Sequence, residues 1–250
     1  MLLGASNLSI RFPTVVNGAL SAFGSPLELF VAKGFGRSYG QESKFFGKKF
    51  PGILQCELWD AIELAAPAPT FALVADVGND LAYEAPVNSI IGWIETTLDR
   101  LAAHGSQVVL NNLPLATLQG VGAARYRVFR ELFFPSCKLL RADLLTRAEH
   151  LSEGLDRIAV ERKIAVFSGE FAWYGLDPIH PRWAASGQIW RRMFGALATN
   201  QGASTQLTMT TAQALAMRRL KPAEWTQFGL KRRAAQPAAR LADGTTIAIY

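Results

Sequence analysis

Short, mostly apolar runs alternate along this chain with longer stretches of helical periodicity. The runs are MLLGA (1–5), LELFVA (27–32), FALVADV (71–77), QVVLNN (107–112) and IAVF (164–167). Each has the length of a strand rather than of a helix. Between them, residues 8–24 read as a helix ending at Gly24. Residues 88–105 read as a second, with Ile90, Ile91, Ile94, Leu98, Leu101 and Ala102 on helical spacing and Gly105 as its C-cap. Residues 137–162 predict a long helix with Gly154 as its weak point. Residues 183–198 predict a last amphipathic helix. Strands that are apolar along their length are covered on both faces, and a parallel sheet between two helix layers provides that cover. The expected fold class is therefore α/β: a three-layer α/β/α, doubly wound domain with a mostly parallel five-stranded sheet of the flavodoxin-like kind. ARLADGTTIAIY (239–250) is an Asp-Gly turn between strand-like residues and predicts a β-hairpin. It is expected as an appendage packed on the main domain. The chain then divides into an α/β domain over 1–200 and a basic C-terminal extension over 201–250.

Composition narrows the field. Half of the 250 residues are hydrophobic, enough for a sizeable core and too many for a disordered chain. No apolar run approaches the ~20 residues of a membrane-spanning helix. MLLGASNLSIRF has neither a basic start nor a long apolar stretch, so it does not read as a secretory signal, and a cytoplasmic protein is expected. Cys56 and Cys137 form neither a disulfide framework nor a metal-ligand spacing. The net charge of +6 is uneven. Residues 201–250 hold seven basic and two acidic residues and contribute +5 of it. A basic tail binds phosphates or an acidic surface, or is simply solvated. No zinc-finger, RNA-binding or helix-turn-helix signature accompanies it, so no nucleic-acid partner is expected.

In open α/β sheets ligands bind beyond the carboxyl ends of the strands. Those ends carry GASN (4–7), KGFGRSYG (33–40), DVGND (76–80), NNLP (111–114) and SGEFAWYGLDPIHP (168–181). Ser6 suits a helix N-cap, and equally a nucleophile at the positive end of a helix. The glycines of KGFGRSYG suit a tight turn or the close approach of a backbone N–H to a ligand, with Gly36 the favoured donor. Their spacing misses G-x-G-x-x-G by one residue. Asn79 offers a neutral amide, which serves a turn or a developing oxyanion. Asp80 is expected to cap the following residues or to brace that loop. Asp76 as a metal ligand has no second cluster to support it. The chain has three histidines. His104 and His150 fall in helical patterns away from strand ends. His180 stands in a proline-limited loop three residues after Asp177, a spacing that suits a loop histidine with a capping aspartate and equally lets the carboxylate hold the ring in one tautomer. Together Ser6, His180, Asp177 and two oxyanion donors compose an acyl-transfer site.

These residues resemble the four blocks of the SGNH (GDSL-type) hydrolase family. Ser6 in LLGASNLS matches the first block, and Gly36 in KGFGRSYG the second. Asn79 in DVGND matches the third, G-x-N-D. Asp177 and His180 in DPIHP match the last, D-x-x-H. The resemblance covers roughly residues 1–200. The first block usually reads Gly-Asp-Ser and is Gly-Ala-Ser here, which removes a polar brace beside the nucleophile. The second commonly has an asparagine before its glycine, where Lys33 and Gly34 stand, so Gly34 and Gly40 compete with Gly36. The resemblance implies a serine esterase acting on a small-molecule ester with no metal or cofactor. Ser6 is then the nucleophile, His180 the base and Asp177 its orienter. The N–H groups of Ser6 and Gly36 and the amide of Asn79 form the oxyanion hole. An acyltransferase with the same triad is the alternative enzyme, and a binding protein acting through the basic tail the alternative class. The segment 113–134, rich in apolar and aromatic residues, suits an acyl pocket or lid; its helix AARYRVFRELFF is read as core packing. Phe171, Trp173 and Tyr174 are expected to wall the site.

Overall fold

The computed structural model describes residues 1–197 and 210–250. The end of the expected 183–198 helix and the expected boundary at residue 200 lie outside them. The chain begins with β1 (Leu2–Leu3), α1 (Ser6–Ile10), α2 (Phe12–Phe23) and β2 (Glu28–Ala32). A short hairpin of β3 (Ser43–Phe45) and β4 (Lys48–Phe50) leads to α3 (Leu58–Glu63) and β5 (Phe71–Val74). Then come α4 (Asn79–Ala82), α5 (Val87–Ala103), β6 (Gln107–Asn111), α6 (Leu115–Gln119) and α7 (Ala123–Phe133). The long α8 (Arg141–Arg162) precedes β7 (Ala165–Phe167) and α9 (Trp183–Gly195). The described chain closes with α10 (Thr211–Arg218), β8 (Glu224–Gln227), β9 (Leu230–Arg233), β10 (Ala239–Arg240) and β11 (Thr246–Ile249).

Seven strands form one sheet in the order β10-β11-β2-β1-β5-β6-β7, parallel throughout except for β10 against β11. The five apolar runs supply β1, β2, β5, β6 and β7. Their side chains feed two separate cores by turns. Ala72 and Val74 enter one and Leu73 the other; Val108 and Leu110 enter the first and Val109 the second. Successive residues of a strand point to opposite faces, and here both faces are dry, which is why alternation is missing from the sequence. α3, α5 and α8 cover the first face with Trp59, Ile90, Ile94, Leu98, Leu151 and Leu155. α1, α2 and α9 cover the second with Leu8, Phe12, Val16, Leu20, Trp190 and Phe194. Gly154 marks the closest approach of α8 to α5, where an added Cβ would stand 2.5 Å from Ile91 Cδ1. None of the described helices is long and apolar enough to cross a membrane.

The expected hairpin forms, but it is not an appendage. β11 pairs in parallel with β2, with Ile247 opposite Leu29, so the hairpin carries the main sheet two strands further. Ile247 and Ile249 are buried in the second core, a better fate for two isoleucines than a surface add-on. A second sheet, β3-β4-β8-β9, is antiparallel and was not legible as apolar runs. Because β1, β2, β5, β6 and β7 run parallel, all five loops considered above leave the main sheet along one edge.

Candidate active site

β1 stops at Leu3, and Ser6 opens α1 with 8 % of its surface exposed. The strand register sets its surroundings. Leu3 pairs with Val74, so Asp76 falls beside the start of α1. Asp76 has φ 61°, in the left-handed region that aspartate tolerates better than most residues. Its Oδ2 accepts from the N–H of Ala5 (2.7 Å) and of Asn7 (3.1 Å), and its Oδ1 from Asn7 Nδ2 (2.6 Å). These bonds engage the N–H on either side of Ser6 and leave out that of Ser6 itself. A carboxyl brace thus reaches the start of α1 from the end of β5, although no aspartate stands next to Ser6 in the sequence.

His180 comes from the far end of the chain. Asp177 Oδ1 accepts from the N–H of Ile179 and of His180, both at 3.0 Å, which curls DPIH into a tight loop. Asp177 Oδ2 lies 2.6 Å from His180 Nδ1, and His180 Nε2 lies 2.8 Å from Ser6 Oγ. Burial alone would push the Asp177 carboxyl up. The hydrogen bond and charge of His180 and the two backbone N–H groups outweigh burial and hold it below the usual carboxylate range. An ionised Asp177 accepts, so Nδ1 bears the ring hydrogen and Nε2 presents its lone pair to the hydroxyl.

Gly36, Asn79 and Phe133 join Ser6, Asp177 and His180 around a cleft. Asn79 Nδ2 is buried there with no hydrogen-bond partner among the described residues. A buried donor left unpaired costs about 1–3 kcal/mol, so a ligand acceptor has something to gain by meeting it. Gly36 adopts φ 62°, and its carbonyl accepts from the Tyr83 hydroxyl at 2.6 Å. Gly34 packs on Phe50 and Gly40 on the Trp93 ring; of the three glycines, Gly36 is the one that lines the cleft. Asp80 does brace the loop, as expected. Fully buried, it accepts from the Ser38 hydroxyl and from the Tyr39 N–H (3.0 Å), tying DVGND to the glycine-rich loop. Burial pushes its carboxyl up to about 6, against the pull of those two hydrogen bonds.

Behind Ser6 lies an apolar cavity of about 170 Å³, walled by Leu113, Leu118, Val121, Phe129, Phe133 and Leu144 among others. α7, read from the sequence as core packing, has no buried residue. Its apolar face lines this hollow instead, with Phe129 and Phe133 stacked 5.8 Å apart. Of the three aromatics expected to wall the site, Tyr174 does so. Trp173 is buried in the second core against Phe167, and Phe171 is exposed.

No protein-family model and no curated protein matches the chain. One solved structure similar to it is that of a "putative acylhydrolase" from Bacteroides fragilis, at 15 % identity and a TM-score of 0.49, over 79 % of this chain and 84 % of that one. A second has 10 % identity and a TM-score of 0.48, over 79 % of this chain and 94 % of that one.

The remaining histidines stand apart: His104 caps α5 and His150 is exposed on α8. Residues that hold the His180 loop were missed in the sequence. Asn7 Nδ2 donates to Ile179 O (3.2 Å), Arg11 Nη2 to Pro181 O (3.4 Å), and Arg125 Nη2 to Gly175 O (2.7 Å) and Leu176 O. Side chains that grip backbone carbonyls leave no motif.

Proposed function

We propose that this chain is a serine hydrolase that cleaves carboxylic esters with an extended apolar acyl group. The observation that carries the proposal is the continuous hydrogen-bonded line from Asp177 Oδ2 through His180 to Ser6 Oγ. Ser6 Oγ attacks the ester carbonyl while its proton passes to His180 Nε2. The carbonyl carbon–alkoxy bond then breaks, and Nε2 returns the proton to the departing alkoxide. Water, deprotonated by the same nitrogen, attacks the acyl-serine; the carbonyl carbon–Oγ bond breaks, Nε2 returns the proton to Ser6 Oγ, and the acid departs. Asp177 stays ionised and holds the imidazolium.

The Ser6 and Gly36 N–H groups and Asn79 Nδ2 are assigned to the oxyanion that forms between these steps. The unpaired state of Asn79 Nδ2 supports that role for it. Loss of one such donor lowers kcat by about 10²–10³. Asn79→Ala is therefore expected to lower kcat by that factor with little change in KM, read from steady-state kinetics.

The apolar cavity supports the acyl preference. Each buried CH₂ contributes about 0.8 kcal/mol, close to fourfold in kcat/KM. In a series of p-nitrophenyl esters, kcat/KM is expected to climb by about that factor per CH₂ from acetate towards hexanoate, then level off once the cavity is full. The test of the class itself is labelling by a fluorophosphonate, read by peptide mass, beside hydrolysis of those esters. A protein that neither labels at Ser6 nor turns over any ester of the series overturns the proposal.

A further inference from the structure

The two turns of the small sheet touch each other. Phe228 N–H donates to Gly47 O (2.9 Å), and a Cβ on Gly47 would lie 2.6 Å from the Phe228 ring. Both turns carry the same unusual pair. Phe46 (φ 45°) precedes Gly47 (φ 75°), and Phe228 (φ 50°) precedes Gly229 (φ 82°). Two successive positive φ values are the mark of a hairpin turn that normally uses Asn-Gly or Asp-Gly, and a bulky residue there is an outlier. Turn chemistry gives no reason for phenylalanine, and neither does packing: Phe46 is 74 % and Phe228 77 % exposed.

These tips do not stand alone. Leu230 is exposed beside Phe228, and Phe35 is partly exposed nearer the cleft. Phe46 meets Phe45 edge-on at 4.6 Å, and Phe45 stacks on Phe35 (5.6 Å) and Phe133 (6.5 Å). Phe133 in turn lines the cleft with Ser6 and His180. Apolar surface therefore runs without a break from the hairpin tips to the mouth of the site. The same four strands carry six basic residues, Lys44, Lys48, Lys49, Lys231, Arg232 and Arg233, against one acidic residue, Glu224. Lys49 pairs with Glu42 and Arg233 with Glu57; the other four basic residues form no ion pair among the described residues.

We infer that these hairpin tips, with cations on both sides of the small sheet behind them, dock the protein on an anionic lipid surface. Phe46, Phe228 and Leu230 sink among the acyl chains, and the lysines and arginines meet the headgroup phosphates. Exposed bulky apolar groups ringed by cations fit that interface on both counts. Single-stranded nucleic acid is the rival occupant, since phosphates and base stacking use cations and phenylalanines too. Leu230 cannot stack on a base, and the patch leads to an apolar cavity rather than a polar groove, so lipid is the better fit. Docking does not depend on the hydrolase proposal, because neither Ser6 nor His180 takes part. Where both hold, the patch sets a lipid-like ester at the mouth of the cavity.

The test is co-sedimentation of the full chain with vesicles of phosphatidylcholine alone or mixed with phosphatidylglycerol. Partition is expected to be about tenfold higher on the mixed vesicles and to fall with added salt. Asparagine suits both turns, so the double variant Phe46→Asn/Phe228→Asn keeps its fold, checked by circular dichroism, and loses about tenfold in partition. Lys48→Glu/Lys231→Glu loses a similar factor on the anionic vesicles only. Ser6→Ala binds as the parent does, whether or not Ser6 proves to be a nucleophile. Equal partition of the parent on both lipids overturns the inference, as does full binding by the phenylalanine variant. Displacement from vesicles by oligothymidylate, with binding to it lost in Phe46→Asn/Phe228→Asn, assigns the face to nucleic acid and overturns it as well.

Discussion

Ser6→Ala is expected to lower kcat for a soluble p-nitrophenyl ester by on the order of 10⁶-fold and to end fluorophosphonate labelling. In the proposed reaction the Ser6 hydroxyl forms the covalent bond, and no second serine lines the cleft among the described residues. What remains is the weak catalysis of donors and base acting on bound water. The fold is expected to survive. Ser6 is buried, and its hydroxyl bonds to His180, a ring already held by Asp177, so alanine leaves a small gap and no stranded charge. Thermal unfolding within a few degrees of the parent, beside the lost turnover, separates chemistry from damage. An alanine variant that keeps even about one hundredth of the parent kcat removes Ser6 from the role of nucleophile.

Asp177→Asn is expected to cost about 10⁴-fold in kcat with the fold intact. The argument is one of tautomers. Asp177 Oδ1 accepts two backbone N–H groups, a duty an amide oxygen can keep. The amide nitrogen then faces His180 Nδ1, where the carboxylate oxygen was. Nδ1 must now accept, the ring hydrogen moves to Nε2, and Nε2 donates to Ser6 Oγ instead of taking its proton. The shift is visible directly by nitrogen NMR of the ring. An asparagine variant with parental kcat overturns the orienting role of Asp177.

The parts of this protein legible in its sequence are those whose signal is local. β5 and β6 show as unbroken apolar runs because both of their faces are dry, and α5 shows because its isoleucines repeat at helical spacing. DPIHP revealed itself because the hydrogen bonds that shape it join residues two and three apart. The small sheet stayed hidden. Its strands are three or four residues long and mostly polar, and Lys48 finds Gln227 across most of the chain. α7 was legible as an amphipathic helix but not in its role, since periodicity reports an apolar face and not whether that face meets a core or a hollow. The bracing role of Asp76 was not legible for a related reason. Its partners, Ala5 and Asn7, become neighbours only through the pairing of β1 with β5, which no single segment encodes. That Gly36, and not Gly34 or Gly40, lines the cleft likewise depends on tertiary packing that no single segment encodes.

The place of β11 in the main sheet has a consequence for how the molecule is assembled. β2 leaves the ribosome well before β11, yet they lie side by side, flanked by a hydrogen bond from the Leu27 N–H to Thr245 Oγ1 across 218 residues. While the residues between them are made, one flank of β2 stays bare, a hydrophobic ribbon with free N–H and C=O groups open to any passing strand. Closing so long a loop is slow compared with forming the helices around it. The nascent protein can therefore form the loop around Asp177 and His180 and still remain sticky until β11 slots home.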